Sequence, residues 1–153
     1  RHIMMDGADN TVSGWLNVSV LGVNTANTEF EYLTGNTMAF LPTGSIPYQQ
    51  YIKAETPSMA SHLASLGYKT VAMHPYKATG WDRDKVYPDL GFQEMHFLPD
   101  YKNPLLVREY VSDKSDFEKI IETYEKKEPG EPLFVFNVTT QNNSSYTESF
   151  DNF

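Results

Sequence analysis

Short apolar runs alternate with amphipathic helical stretches along this chain, and no other feature constrains its fold as tightly. "WLNVSVL" (Trp15 to Leu21), "YKTVAM" (Tyr68 to Met73), "FQEMHFL" and "PLFVFNVTT" (Pro132 to Thr140) read as strands. Between them, Asn24 to Leu33 reads as a helix ending before Gly35. A second helix has Thr56 as its cap, Pro57 at its first position and Gly67 as its stop. In that helix Met59, Leu63 and Leu66 share one face, the spacing of a core stripe. Asp82 to Leu90 forms a short helix stopped by Gly91. Ser115 and Glu118 make a capping box that opens a last helix, running to about Lys127, with Phe117, Ile120, Ile121 and Tyr124 as its apolar face. "AFLPTGSIPYQQYI" is an extended loop broken by Pro42, Gly44 and Pro47. Strands separated by helices of this length predict an α/β fold, a mostly parallel sheet flanked by helices.

Such sheets place ligands beyond the carboxyl ends of their strands. The rule selects three loops: Gly22–Asn27, His74–Arg83 and Thr139–Tyr146. In the first, Thr25 is either part of an ordinary helix cap or a nucleophile. As a nucleophile it would need a neighbouring base or metal, and a helix N-terminus would favour the anion there. In the second, His74, Trp81 and Arg83 would together suit an anionic, oxygen-rich group. The alternative is a surface His, a packed Trp and an Arg paired with Asp82 or Asp84. The third, "TTQNNSSYT", either binds a head group or sugar through its amides and hydroxyls or is a plain turn. His2, His62 and His96 have no partner at metal-ligand spacing. Asn17, Asn137, Asn142 and Asn143 fall in N-x-[ST] sequons that read as chance matches.

Composition narrows the classes. The chain of 153 residues is 40% hydrophobic and 21% charged, a folded domain's balance. A net charge of −8 argues against a nucleic-acid partner, which calls for a basic face. With no cysteine there is neither a disulfide nor a thiolate metal site, as in many cytosolic and bacterial surface proteins. No run approaches the length of a membrane span, and no signal peptide is present. The opening "RHIMMDG" and the loop-like ending "SFDNF" suggest a segment of something longer.

Three segments, "NVSVLGVNTANTEFEYLTGNTMAFLPTGSIPYQQY", "GYKTVAMHPYKATGWDRDKVYPDLGF" and "PLFVFNVTTQNNSSY", resemble the lipoteichoic acid synthase-like branch of the sulfatase / alkaline-phosphatase superfamily. The resemblance runs over nearly the whole chain, in order. It implies residues 1–153 as the N-terminal to central part of a sulfatase-like catalytic domain, incomplete at both ends. It further implies a bacterial extracytoplasmic enzyme, attached to the cell membrane through segments absent from this chain. The implied activity is transfer of phosphoglycerol from a phosphatidylglycerol-type lipid to a glycopolymer acceptor. Thr25 matches the family's nucleophile, which is also a ligand of a divalent metal, commonly Mn2+. His74, Trp81 and Arg83 match its substrate-binding residues.

Two departures from the family pattern stand out. The third loop reads "QNNSSY" where the family commonly has "QNHGGY", so Asn143 takes the place of a phosphate-binding His. An amide can donate a hydrogen bond but carries no charge or transferable proton. The remaining metal ligands, an acidic residue and an Asp-His pair, would lie outside this chain. Two other readings stay open. One is a phosphodiesterase or sulfatase-type hydrolase. The other is a degenerate, non-catalytic binder of surface glycopolymers.

Overall fold

A central strand organises the molecule. In the computed structural model, which describes residues 17–20 and 24–143, β1 (Lys69–His74) is buried at every position after Lys69. It lies between β2 (Glu94–Phe97) and β5 (Leu133–Asn137), both parallel to it, giving the sheet order β2-β1-β5. A β-branched and apolar run such as Thr70–Met73 suits a strand covered on both faces. β5 is half-buried throughout rather than fully buried as its sequence suggests. Its second edge has no strand beside it among the described residues. Residues 17–20 of the expected strand Trp15–Leu21 are not in a strand, and the others lie outside the described residues.

The two faces of the sheet carry separate cores. On one, α1 (Thr25–Thr34), the short α2 (Pro47–Gln50), α3 (Met59–Ser65) and α4 (Arg83–Asp89) surround Ala72, Phe134 and Phe136. Tyr87 sits at the centre of this core. Its ring meets Phe92 at 5.4 Å, Phe97 at 6.2 Å and Phe136 at 6.3 Å. Each such pair adds about 0.5–1.5 kcal/mol beyond the area it buries. On the other face Val71 and Met73 pack with Tyr101, Val111 and Ile120 under α5 (Asp113–Glu125).

Several boundaries differ from expectation. The extended loop after α1 contains a 3-10 turn at Met38–Phe40 as well as α2. α3 is capped by Ser58, which forms a reciprocal box with Ser61, while the Thr56 hydroxyl bonds back to Ala54. Ala60 is the buried residue of α3, and Leu66, at its C-cap, is exposed. α5, in contrast, starts earlier than expected, with Ser112 as cap accepting from the Ser115 amide. Asp116, fully buried, accepts from the Tyr101 hydroxyl at 2.7 Å and from Asn137 Nδ2 at 2.8 Å, joining α5 to the end of β5. Phe117, Ile121 and Tyr124 are exposed instead of packed. A hairpin of β3 (Leu106–Val107) and β4 (Tyr110–Val111) has no counterpart in the sequence reading. Gly91, at φ +88°, fits where no side chain would, because an added Cβ would lie 2.7 Å from Ser61 Cα.

Candidate active site

The loop after β1 reaches α1 through Arg83 and Glu29, and the loop after β5 meets His74 through Val138. Thr25 opens that helix and is exposed. Asn24 takes the N-cap position in extended conformation, but its side chain makes no cap hydrogen bond. Thr25 lines a cleft of about 400 Å3 with Thr28, Glu29, Tyr32 and Phe136. Glu29 follows Thr25 by four residues, which puts both on one side of the helix.

Glu29 is the residue the sequence reading passed over. It stands in the quoted "NTEF" with no role assigned, yet it is buried and holds Arg83. Arg83 Nε donates to Glu29 Oε2 at 3.2 Å, and Nη2 bonds Oε1, a bidentate pair. The Tyr87 hydroxyl donates to Glu29 Oε2 at 3.0 Å. Burial, then the Glu29 charge, holds the Tyr87 hydroxyl well above its usual range, so it stays a neutral donor. Arg83 Nη1 donates to the Gly80 carbonyl at 3.1 Å and lies 3.3 Å from His74 Nε2.

His74 ends β1 with its ring buried. Its Nδ1 lies 2.8 Å from the Val138 carbonyl oxygen, which can only accept. The proton therefore sits on Nδ1, and Nε2 faces Arg83 with its lone pair. Burial first, and then the Arg83 charge, pushes the imidazole pKa down to about 4. His74 is thus neutral near pH 7.

Trp81 sits in the turn between β1 and α4, half-buried against the main core. Trp81 and Asp82 both have φ of +57°. Left-handed backbone at two successive non-glycine residues costs about 1–3 kcal/mol each and is concentrated at functional sites. The strained turn delivers the Gly80 carbonyl and Arg83 to the same place.

Asn143 lies apart from these residues. Its amide N–H bonds the Thr140 carbonyl, and its carbonyl accepts from Arg108 Nη2 at 3.3 Å. Arg108 is buried at the tip of the β3–β4 hairpin, at φ +58°, with its guanidinium 6.0 Å from the Tyr110 ring centroid. The "VREY" turn has none of the Gly or Asn that usually marks positive φ, so nothing in the sequence pointed to it. The third loop is joined to the others through Val138, by the His74 bond and by Val138 N–H to the Met73 carbonyl. Ser144, Ser145 and Tyr146 of that loop lie outside the described residues.

No three His, Asp or Glu side chains converge among the described residues in a way that would hold a metal ion. Among the described residues, the acidic side chains lining the Thr25 cleft are Glu29 and Glu31, and both carboxylates are engaged elsewhere in the fold. These residues do not by themselves fit a divalent cation.

The chain is similar to several known proteins. The family model described as Sulfatase matches residues 9–153. A protein of Rhizobium meliloti (strain 1021), assigned by its name to cyclic beta-1,2-glucan modification, is 41% identical over 127 residues. The aligned region is 82% of this chain and 19% of that protein. The Streptococcus pyogenes phosphoglycerol transferase GacH, solved in complex with sn-glycerol-1-phosphate, superposes with a TM-score of 0.67 at 28% identity. That match covers 81% of this chain and 33% of GacH. The lipoteichoic acid synthase LtaP from Listeria monocytogenes shares the fold at TM-score 0.68 and 22% identity, over 80% of this chain and 30% of LtaP. The chain thus spans about a fifth of the curated relative and about a third of these solved structures.

Proposed function

The chain belongs to the sulfatase family, and on that premise we propose that it forms the N-terminal to central part of a phosphoglycerol transferase domain. The observation that carries this reading is the buried path Glu29–Arg83–His74–Val138. It ties α1, the helix that begins with the exposed Thr25, to the loops after two adjacent parallel strands. The likeness to GacH, a phosphoglycerol transferase, supports transfer. So does the relative named for modification of a glucan.

In this reading Thr25 Oγ attacks the phosphorus of a phosphatidylglycerol-type lipid. The Oγ–P bond forms, the bond from phosphorus to the diacylglycerol oxygen breaks, and the proton that Thr25 Oγ gives up is passed through solvent to that oxygen. A glycan hydroxyl then attacks the same phosphorus, its own P–O bond forms, the Oγ–P bond breaks, and the glycan's proton returns through solvent to Thr25 Oγ. The α1 N-terminus lowers the cost of negative charge at Thr25 Oγ. Glu29 and Arg83 hold α1 in register with His74. Trp81, Arg83 and His74 form the wall that receives the head group, and Asn143 would have to reach the same group from the third loop. The domain acts at the outer face of a bacterial membrane and depends on a divalent metal completed by residues beyond this chain.

Mass spectrometry of the complete domain turning over phosphatidylglycerol tests the proposal. A phosphoglycerol adduct on Thr25, absent from Thr25→Ala, is the expected result. Turnover with no adduct on that peptide refutes the mechanism.

A further inference from the structure

The third loop is held by the segment that runs from the β3–β4 hairpin into α5. Arg108 Nη2 donates to the Asn143 carbonyl at 3.3 Å. The Asp113 amide donates to Gln141 Oε1 at 2.8 Å, and Asn142 Nδ2 donates to Asp113 Oδ2 at 3.4 Å. The same segment reaches the loop after β1 through a row of rings. The Tyr110 ring centroid lies 6.3 Å from that of Tyr76, and Tyr76 lies 6.1 Å from the His74 ring. Both separations fall in the range of attractive aromatic contacts. The Arg108 guanidinium is 6.0 Å from the Tyr110 ring centroid. It therefore stands between the third loop and the row that ends at His74.

A hairpin tip is an unusual place for a buried arginine. Arg108 is 2% exposed, with φ of +58°, and Glu109 beside it has φ of +83°. Positive φ at both central residues of a two-residue hairpin loop is ordinarily met by Asn-Gly or Gly-Gly. Two larger residues stay there only where surrounding contacts over-determine the backbone, as at ligand clamps and active sites. The guanidinium is planar, so its donors point in fixed directions. One of them grips the backbone of Asn143, whose own side chain is exposed. An amide carries no charge. What it offers an anion depends on where its N–H groups point, and so on a backbone held in place.

We propose that Arg108 is a positioning residue: by holding the Asn143 carbonyl it sets the third loop relative to His74 and aims the Asn143 amide at the head group. The inference deepens the transferase reading and rests on it for the identity of that group.

A double-mutant cycle on the complete domain tests it, with Arg108→Lys and Asn143→Ala made singly and together. Lysine keeps the charge and loses the planar fork. The readouts are kcat and KM with phosphatidylglycerol vesicles and, separately, Kd for sn-glycerol-1-phosphate. Arg108→Lys should raise KM and Kd about tenfold, the effect of one lost hydrogen bond to a charged group, and change kcat less than about twofold. Asn143→Ala should do the same alone and add less than about twofold in the Arg108→Lys background. An arginine that serves stability alone lowers Tm but leaves the factor from Asn143→Ala equal in both backgrounds, and that result overturns the proposal. So does an Arg108→Lys variant with unchanged KM and Kd. If Arg108→Lys does not fold, Tyr110→Leu, which removes the ring beside the guanidinium, takes its place in the cycle with the same outcomes. Binding of sn-glycerol-1-phosphate without lipid turnover refutes the transferase reading and leaves the cycle in Kd to decide on Arg108. Turnover with independent effects of the two substitutions does the reverse.

Discussion

On the face of the sheet that carries α1 and α4, Phe134 and Phe136 are covered by Tyr87, Phe92 and Phe30, and the buried ion pair lies at the edge of that packing. On the opposite face, Val71 and Met73 meet a smaller cluster, and Phe117, Ile121 and Tyr124 of α5 stay exposed. The polar groups differ in the same sense. Glu29 is answered by a full charge from Arg83, whereas Asp116 is held by the neutral donors Tyr101 and Asn137. Well-packed apolar surroundings keep water from an ion pair and make its geometry decisive. The candidate chemistry therefore stands on the face where packing can hold it in place.

The largest effect expected from this comparison comes from Glu29→Gln. The side chains of Glu29 and Arg83 are 4% and 3% exposed, so the change strands a guanidinium in the core. Removing one member of such a pair costs about 3–5 kcal/mol. Urea denaturation of the variant measures it. A loss under about 1 kcal/mol would mean that water already reaches the pair, and the contrast between the faces would go with it.

The second effect depends on pH. His74 titrates at about 4 in the fold and near 6.5 when unfolded. Between those values the unfolded chain binds more protons, so stability falls as pH drops from about 6.5 towards about 4. The full span corresponds to about 3 kcal/mol. Carboxylates add their own slope below pH 5, so the measurement is the difference between wild type and His74→Asn. Denaturation midpoints should converge as the pH falls through this window. Parallel curves would show that His74 is not held neutral by burial and by Arg83.

Much of this arrangement was legible in the sequence, for stated physical reasons. The alternating periods marked β1, α1, α4 and the parallel sheet, because period and stop glycines report local geometry directly. Caps were less legible. The sequence marked Thr56 as the cap of the helix at Met59, and the cap is Ser58, whose hydroxyl also bonds the Leu90 carbonyl across 32 residues, a contact that no local pattern encodes. Thr25, His74, Trp81 and Arg83 were visible as residues in strand-end loops, but Glu29 was not. Its meaning lies in a contact across 54 residues, which no local pattern encodes. The hairpin at Arg108 was equally silent, since positive φ there is imposed by surrounding structure rather than by residue type.

The smallest effect tests the unfinished face. The period of α5 marked Phe117, Ile121 and Tyr124 as core, yet they are 51%, 55% and 60% exposed. Ile120 alone of the predicted stripe packs onto Val71 and Met73. Phe117→Ser and Ile121→Ser should each shift stability by no more than about 0.5 kcal/mol in this chain. Ile120→Ala, which removes partly buried methylenes, should cost about 1 kcal/mol or more. Thermal or urea unfolding of the three variants gives the ranking. If Phe117→Ser costs as much as Ile120→Ala, the stripe is covered in solution, and the two faces are then alike in packing and differ only in charge.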